Sequence, residues 1–185
     1  LKRPSLNPEK VSLYDVWNHY EITRDLVVQA SGMRKHHVSI TNGSFNPKFF
    51  GMTQDEVEHL LKETDNQACM FIIAATEAAI LTDYWQRLRR RSKDAVTRDF
   101  RAINQRAQQR VNKNVKLDED ILEIWCKRSN EAKSCVGRFR SALKYRHWLA
   151  HGRWTVLHGN VHDNPTVVYK IVTDLLIALD IRLDS

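Results

Sequence analysis

Lys144-Tyr145-Arg146-His147-Trp148-Leu149-Ala150-His151-Gly152-Arg153 sets an arginine and two histidines in the last turns of an apparent helix, closed by a glycine. Of the ordinary side chains, histidine changes protonation nearest neutral pH, and a guanidinium is planar and permanently charged. Arg146, His147 and His151 are therefore groups that can act on a phosphodiester. The bare spacing has a structural reading too, because cations near a helix C-terminus complement the dipole and glycine ends the helix. Arg153 to His158 even repeats the R-x4-H interval. What sets the first pair apart is its setting: an apolar-periodic helix, a second polar residue directly after the arginine, and a terminal glycine.

Helical signals that would position this cluster run through most of the chain. Asn7-Pro8-Glu9 offers a cap, a first-turn proline and a favourable charge, and Tyr14, Trp17, Ile22, Leu26 and Ala30 supply apolar spacing. These predict a helix from about Pro8 to Ala30. Gly32, Asn42-Gly43, Pro47 and Gly51 punctuate residues 32 to 52, the longest expected loop. Thr53-Gln54-Asp55-Glu56 matches a reciprocal capping box. Behind it Val57, Leu61, Thr64, Ala68, Phe71, Ala75, Ala78, Thr82 and Trp85 keep helical steps, predicting one long helix to about Arg91, with Asp65-Asn66 the candidate interruption.

Asp94 can cap a helix bearing Val96, Phe100, Ile103, Ala107 and Val111. Asp118 opens another with Ile121, Leu122 and Trp125 inward, and a break near Ser129-Asn130 precedes a helix from Ala132 to His151. Asn164-Pro165 starts the last, carrying Val168, Ile171, Val172, Leu175, Leu176 and Leu179. Strand signals are sparse. The expectation is an all-α helical bundle of about five to six helices without an internal repeat, residues 1–52 forming an N-terminal helix and loop elaboration and residues 53–185 the bundle proper, packed as a single domain.

At 185 residues and 42% hydrophobic the chain can bury a genuine core, and its formal charge of +7 suits a polyanionic partner. The charge is uneven: Arg87 to Lys116 holds eleven basic residues against Asp94 and Asp99, leaving the remainder slightly acidic. Arg98, Arg101, Arg106 and Arg110 do not share one helical face, which fits a diffuse phosphate-attracting surface, or equally a solvated helix pair. Arg89, Arg90, Arg91 and Arg153 are the RNA-contact candidates. Aromatics are nearly absent from the segment, so no base-stacking platform is indicated. Cys69, Cys126 and Cys135 form no CxxC pair, which points away from a disulfide framework or zinc ribbon and toward a reducing cytoplasm. No apolar run reads as long enough to span a bilayer, and residues 1 to 30 lack the pattern of a secretory leader.

The RHWLAHG segment resembles the signature of the HEPN superfamily, compact helical proteins whose ribonuclease members carry R-x4-6-H, commonly with Asn, Asp or His after the arginine. Arg146, His147 and His151 match those positions. Ala75-Thr76-Glu77-Ala78-Ala79 also resembles HEPN sequences, in which an acidic residue of a preceding helix lies near the signature, making Glu77 a supporting candidate. The resemblance covers residues 53 to 183 and implies a metal-independent endoribonuclease, with a toxin or antiviral effector as the family-level role and an antitoxin or regulatory protein as a partner. Arg153-Trp154 stands where a HEPN toxin paired with a nucleotidyltransferase antitoxin has H-x-Y, which argues against control by tyrosine AMPylation.

The residue chemistry agrees with that implication. Cleavage of RNA through its own 2′-hydroxyl needs a proton acceptor, the role for His151, and the phosphorane that follows gathers negative charge that Arg146 would stabilise. His147 would orient the phosphate, protonate the leaving oxygen or brace the helix end. Positions five apart point about 140° away from each other on a regular helix. Arg146 and His151 therefore converge only if the last turn loosens before Gly152 or if two chains form a composite cleft as a homodimer, the arrangement favoured here and also implied by the resemblance.

Two alternatives stand beside this reading. His147 and His151, spaced i,i+4, would make half of a metal site, but no HExxH pattern accompanies them. The other is a non-catalytic HEPN-like module that binds RNA or a protein partner. His36, His37, His158 and His162 read as exposed loop residues, and Trp17, Trp85, Trp125, Trp148 and Trp154 as core or interface anchors. With no Gly-rich phosphate loop, serine nucleophile motif or carboxylate cluster, no cofactor and no metal are expected.

Overall fold

The computed structural model describes residues 11–35, 51–90, 93–109, 114–153, 156 and 163–182, and every regular element among them is helical. In chain order these are α1 (Leu13–Lys35), α2 (Gln54–Arg90), α3 (Ala95–Gln108), a π-helical turn (Leu117–Leu122) running into α4 (Glu123–Cys126), α5 (Asn130–Ala150) and α6 (Pro165–Ala178). The all-α bundle is thus established.

Local side-chain hydrogen bonds start these helices. Thr53 N–H donates to Glu56 Oε2 at 2.6 Å and Glu56 N–H to Thr53 Oγ1 at 3.2 Å, the reciprocal box expected ahead of α2. Asp94, Ser129 and Asn164 cap α3, α5 and α6 through acceptors 2.8, 3.0 and 2.9 Å from Thr97, Ala132 and Thr166 N–H. Ser12 and Asp15 form the corresponding pair at the start of α1. Asn7-Pro8 and Val111 lie outside the described residues. At its other end α1 runs past Ala30 to Lys35: Ser31 Oγ donates back to Val28 O at 2.9 Å, and Gly32 stays helical.

Central to the bundle is α2, which packs against α1, α3, α5 and α6. Its composition over an 18-residue window, mean hydropathy 1.3, would suffice by length and apolarity to cross a membrane, contrary to the sequence expectation. Here Cys69, Ile72, Ile73, Thr76, Ile80 and Tyr84 are buried against the other helices. Asp65-Asn66 does not interrupt it, because both side chains find tertiary partners: Tyr20 Oη donates to Asp65 Oδ1 at 2.9 Å and Tyr145 Oη to Asn66 Oδ1 at 2.7 Å.

The inward faces of α1 and α2 match the predicted ones only in part, Ala30, Val57 and Ala68 being buried as expected. Leu13, Tyr20 and Ala30 are buried on α1 whereas Tyr14, Ile22 and Leu26 are exposed, and on α2 Phe71 and Ala78 face outward. Met70 to Ala75 is apolar around the whole circumference, so periodicity leaves the phase open and packing chooses it. On α6 the expected Val168, Ile171, Val172, Leu175 and Leu176 are buried, as is Leu179 just beyond it. The segment after Asp118 is wound as a π-turn that begins at Leu117, with Ile121 and Leu122 inward and Asp120 accepting from Lys116 N–H at 2.9 Å.

Far from being set apart, α1 shares the core of the bundle. Trp17 packs on Tyr169 of α6 with ring centroids 4.4 Å apart and planes tilted by 31°, and Leu13 and Tyr20 belong to the same apolar cluster as α2, α5 and α6. Trp85, Trp125 and Trp148 also pack on that cluster as anchors, and Trp154 lies outside the described residues.

Candidate active site

The signature occupies the C-terminal turns of α5. Helical bonding continues to its end, with His151 N–H donating to His147 O at 3.1 Å. The chain then turns off sharply: Gly152 takes φ +79°, its N–H reaches Leu149 O at 3.3 Å, and Arg153 N–H reaches Trp148 O at 3.1 Å. These two bonds form a Schellman motif and satisfy carbonyls that the helix end would leave open. Arg153, itself at φ +58°, closes the turn onto α2 through a fork to Glu63, Nη1 to Oε1 at 2.6 Å and Nη2 to Oε2 at 2.5 Å. Its guanidinium holds the Glu63 carboxyl below the usual range. The fork Arg153 would turn to a phosphate is thus engaged with Glu63.

Arg146 lies on the face of α5 turned toward α2. Its Nε sits 3.1 Å from Glu77 Oε2, with side chains 37% and 22% exposed. The N–H is buried without hydrogen-bond alignment, so the pair is held by charge proximity. Burial pushes the Glu77 carboxyl up, and the neighbouring Arg146 charge pulls it only part of the way back. The two residues singled out on separate helices are brought together.

His147 and His151 lie elsewhere on α5. Both are exposed, and their rings touch with centroids 4.1 Å apart and planes tilted by 52°. Since α5 stays helical to Ala150 and His151 is its C-cap, Arg146 and His151 keep roughly the wide angular separation of residues five apart. One chain does not bring them together. Among the described residues no group of three or more His, Cys, Asp or Glu side chains is placed to hold a metal ion, so the two histidines stand as a pair.

One feature escaped sequence reading. Tyr145, one residue before Arg146, is buried, stacks on Trp148 with centroids 5.8 Å apart and ties α5 to α2 through Asn66. The adjacency of Tyr145 to the signature, together with a polar Asn in an apolar helix, was the available signal. Arg89 and Arg90 are exposed at the C-terminal end of α2, and Arg91 lies outside the described residues. That basic end is about 20 Å along α2 from Glu77 at 1.5 Å per residue. Arg87 is spoken for: it pairs with Asp83 at 2.7 Å and lies over the Trp125 ring at 5.4 Å.

Comparisons with family models, curated proteins and solved structures give no match to this chain.

Proposed function

We propose that the chain is a metal-independent endoribonuclease of HEPN type that works as a twofold dimer. The observation that carries the reading is that α5 stays helical to Ala150, with Arg146 drawn toward Glu77 and His151, its C-cap, left exposed. A loosened last turn would have let one chain assemble the pair. Without it, each cleft takes Arg146 from one protomer and His151 from its partner.

In that cleft His151 accepts the proton of the RNA 2′-hydroxyl as the 2′-oxygen attacks phosphorus. Arg146 stabilises the charge on the phosphorane. The bond from phosphorus to the 5′-oxygen then breaks, the 5′-oxygen takes a proton from solvent, and the products are a 2′,3′-cyclic phosphate and a 5′-hydroxyl. Glu77 positions Arg146, and His147, in ring contact with His151, braces it. The basic end at Arg89 and Arg90 supplies affinity for the phosphate backbone. A cytoplasmic toxin or antiviral effector, restrained by an antitoxin or regulatory protein, is the role in keeping with this activity.

The Arg146–Glu77 pair also favours a second reading, a non-catalytic HEPN-like module that binds RNA or a partner protein, since an engaged guanidinium is a weaker phosphate ligand. Incubation of the purified chain with mixed RNA in EDTA, followed by end analysis, separates the two. Cyclic-phosphate ends support the nuclease; binding without cleavage supports the module; cleavage that needs an added divalent ion rejects the metal-independent mechanism.

A further inference from the structure

Five of the apolar steps that sequence periodicity assigned to the core of α2 line an open groove, although one of them, Ala68, is also buried in the core. Thr64, Ala68, Phe71, Ala75 and Ala78, with Ala74, form its α2 side, and Val16 and Tyr20 stand on the α1 side. The groove has a volume of about 660 Å³. Phe71 rises from it 53% exposed, and on the outer side of α1 Ile22 and Leu26 are 53% and 56% exposed. These two follow Asp15 and His19 at steps of four, three and four, so they continue the groove's α1 wall along one stripe. A patch this apolar on a charged chain marks an interaction surface.

We propose that this groove is where two copies of the chain pair, the Phe71 ring of each copy entering the alanine-floored groove of the other. A twofold interface must be complementary to itself, and this patch holds both a projecting ring and a small-residue hollow that would receive it. The charge of the face permits a second copy. Two chains of +7 repel each other, so they can associate only through a face without positive excess. The basic end of α2 lies well beyond the groove. The charged groups at the groove are not basic: Asp15 lines it, accepting from Ser12 Oγ at 2.6 Å, and Asp65 nearby is held by Tyr20 and by Arg24 at 3.4 Å.

This inference rests on the composite-cleft reading for why pairing matters, and it names the face. Glu77 directly precedes groove residue Ala78, about 100° round the same helix, so the Glu77–Arg146 pair flanks the patch. Pairing through the groove would set both signatures beside the twofold axis.

The test is sedimentation equilibrium of the full chain without RNA, which keeps it separate from any test of cleavage. Wild type should be a dimer. Phe71→Asp should be monomeric with unchanged helicity, as its half-exposed site permits; Phe71→Ala should weaken dimerisation about tenfold or more, as truncating an interface anchor does. Phe71→Leu should restore it, and Ile177→Asp, at an exposed apolar position on α6, should leave the dimer intact. A monomeric wild type, or a Phe71→Asp chain that stays dimeric, overturns the proposal. An inactive dimer that Phe71→Asp splits upholds the interface while the nuclease reading fails on its own.

Discussion

Arg146 and Glu77 form a partly buried pair in which the Arg146 Nε–H has no hydrogen-bond partner and burial raises the Glu77 carboxyl, and this makes the site sensitive to protonation. The folded-state pKa of Glu77 lies above its ordinary 4.5, so the native chain binds this proton more tightly than the unfolded one. Its contribution to stability is then greatest below the ordinary value and is lost as pH rises through the raised one. Glu77→Gln removes that dependence. Thermal denaturation should show the variant gaining on wild type between about pH 4 and about pH 7; a constant difference, or one that moves the other way, would contradict the burial of the carboxyl as its controlling feature. On the catalytic side, His151→Ala and Arg146→Ala should each abolish cleavage while preserving helicity, at a cost of roughly 2.7 to 4 kcal/mol if each resembles loss of one oxyanion donor. Mixing the two inactive variants provides the sharper measurement. A mixed dimer carries one cleft with both groups and one with neither, so activity should partly return after subunit exchange; demonstrated exchange without recovery would defeat the cross-subunit assignment.

The end of α5 is where sequence, backbone and chemistry meet. Gly152 occupies φ +79°, and a Cβ built there meets nothing within 4 Å, so replacement by alanine would cost backbone conformation alone. Chemical denaturation of Gly152→Ala should show a loss of about 1 to 2 kcal/mol, the cost of a left-handed residue with a side chain. No loss would mean that the turn relaxes freely and does not hold the signature. The end of α2 poses a different question. Neutralising Arg89, Arg90 and Arg91 should weaken RNA binding and flatten its salt dependence, because fewer counterions are released on association. Titrations at several salt concentrations decide it: an unchanged slope would show that these charges only solvate the helix end.

For the molecule as a whole, the six helices share one apolar cluster, and the N-terminal helix belongs to it through Leu13 and Tyr20. The division at residue 52 is therefore a boundary along the chain, not a break in packing. Around α2 the bundle distributes three surfaces: a buried face, the flank carrying Glu77 and Arg146, and the open alanine groove with Phe71. The proposed dimer uses the second and third together, and the basic end lies beyond both. This arrangement separates the surface that would attract RNA from the one that would pair chains, which a +7 protein needs if it is to associate with itself.

Sequence alone determined most helix starts and the placement of the RHWLAHG segment at a helix end. Thr53, Asp94, Ser129 and Asn164 act on backbone groups two or three residues away, so their hydrogen bonds are specified by local spacing whatever the rest of the chain does. Gly152 stops α5 for a similar reason, its freedom at positive φ being intrinsic. The inward face of α6 was legible as well, since Val168, Ile171, Val172, Leu175 and Leu176 recur at helical steps, although Val167 and Ile177 are apolar and exposed. Only the tertiary structure decided the phase of α1 and α2, the π-winding at Leu117–Leu122, and the meeting of Arg146 with Glu77. Where apolar residues surround a helix, as from Met70 to Ala75, burial depends on which neighbours arrive, and that is set by the packing of the whole bundle.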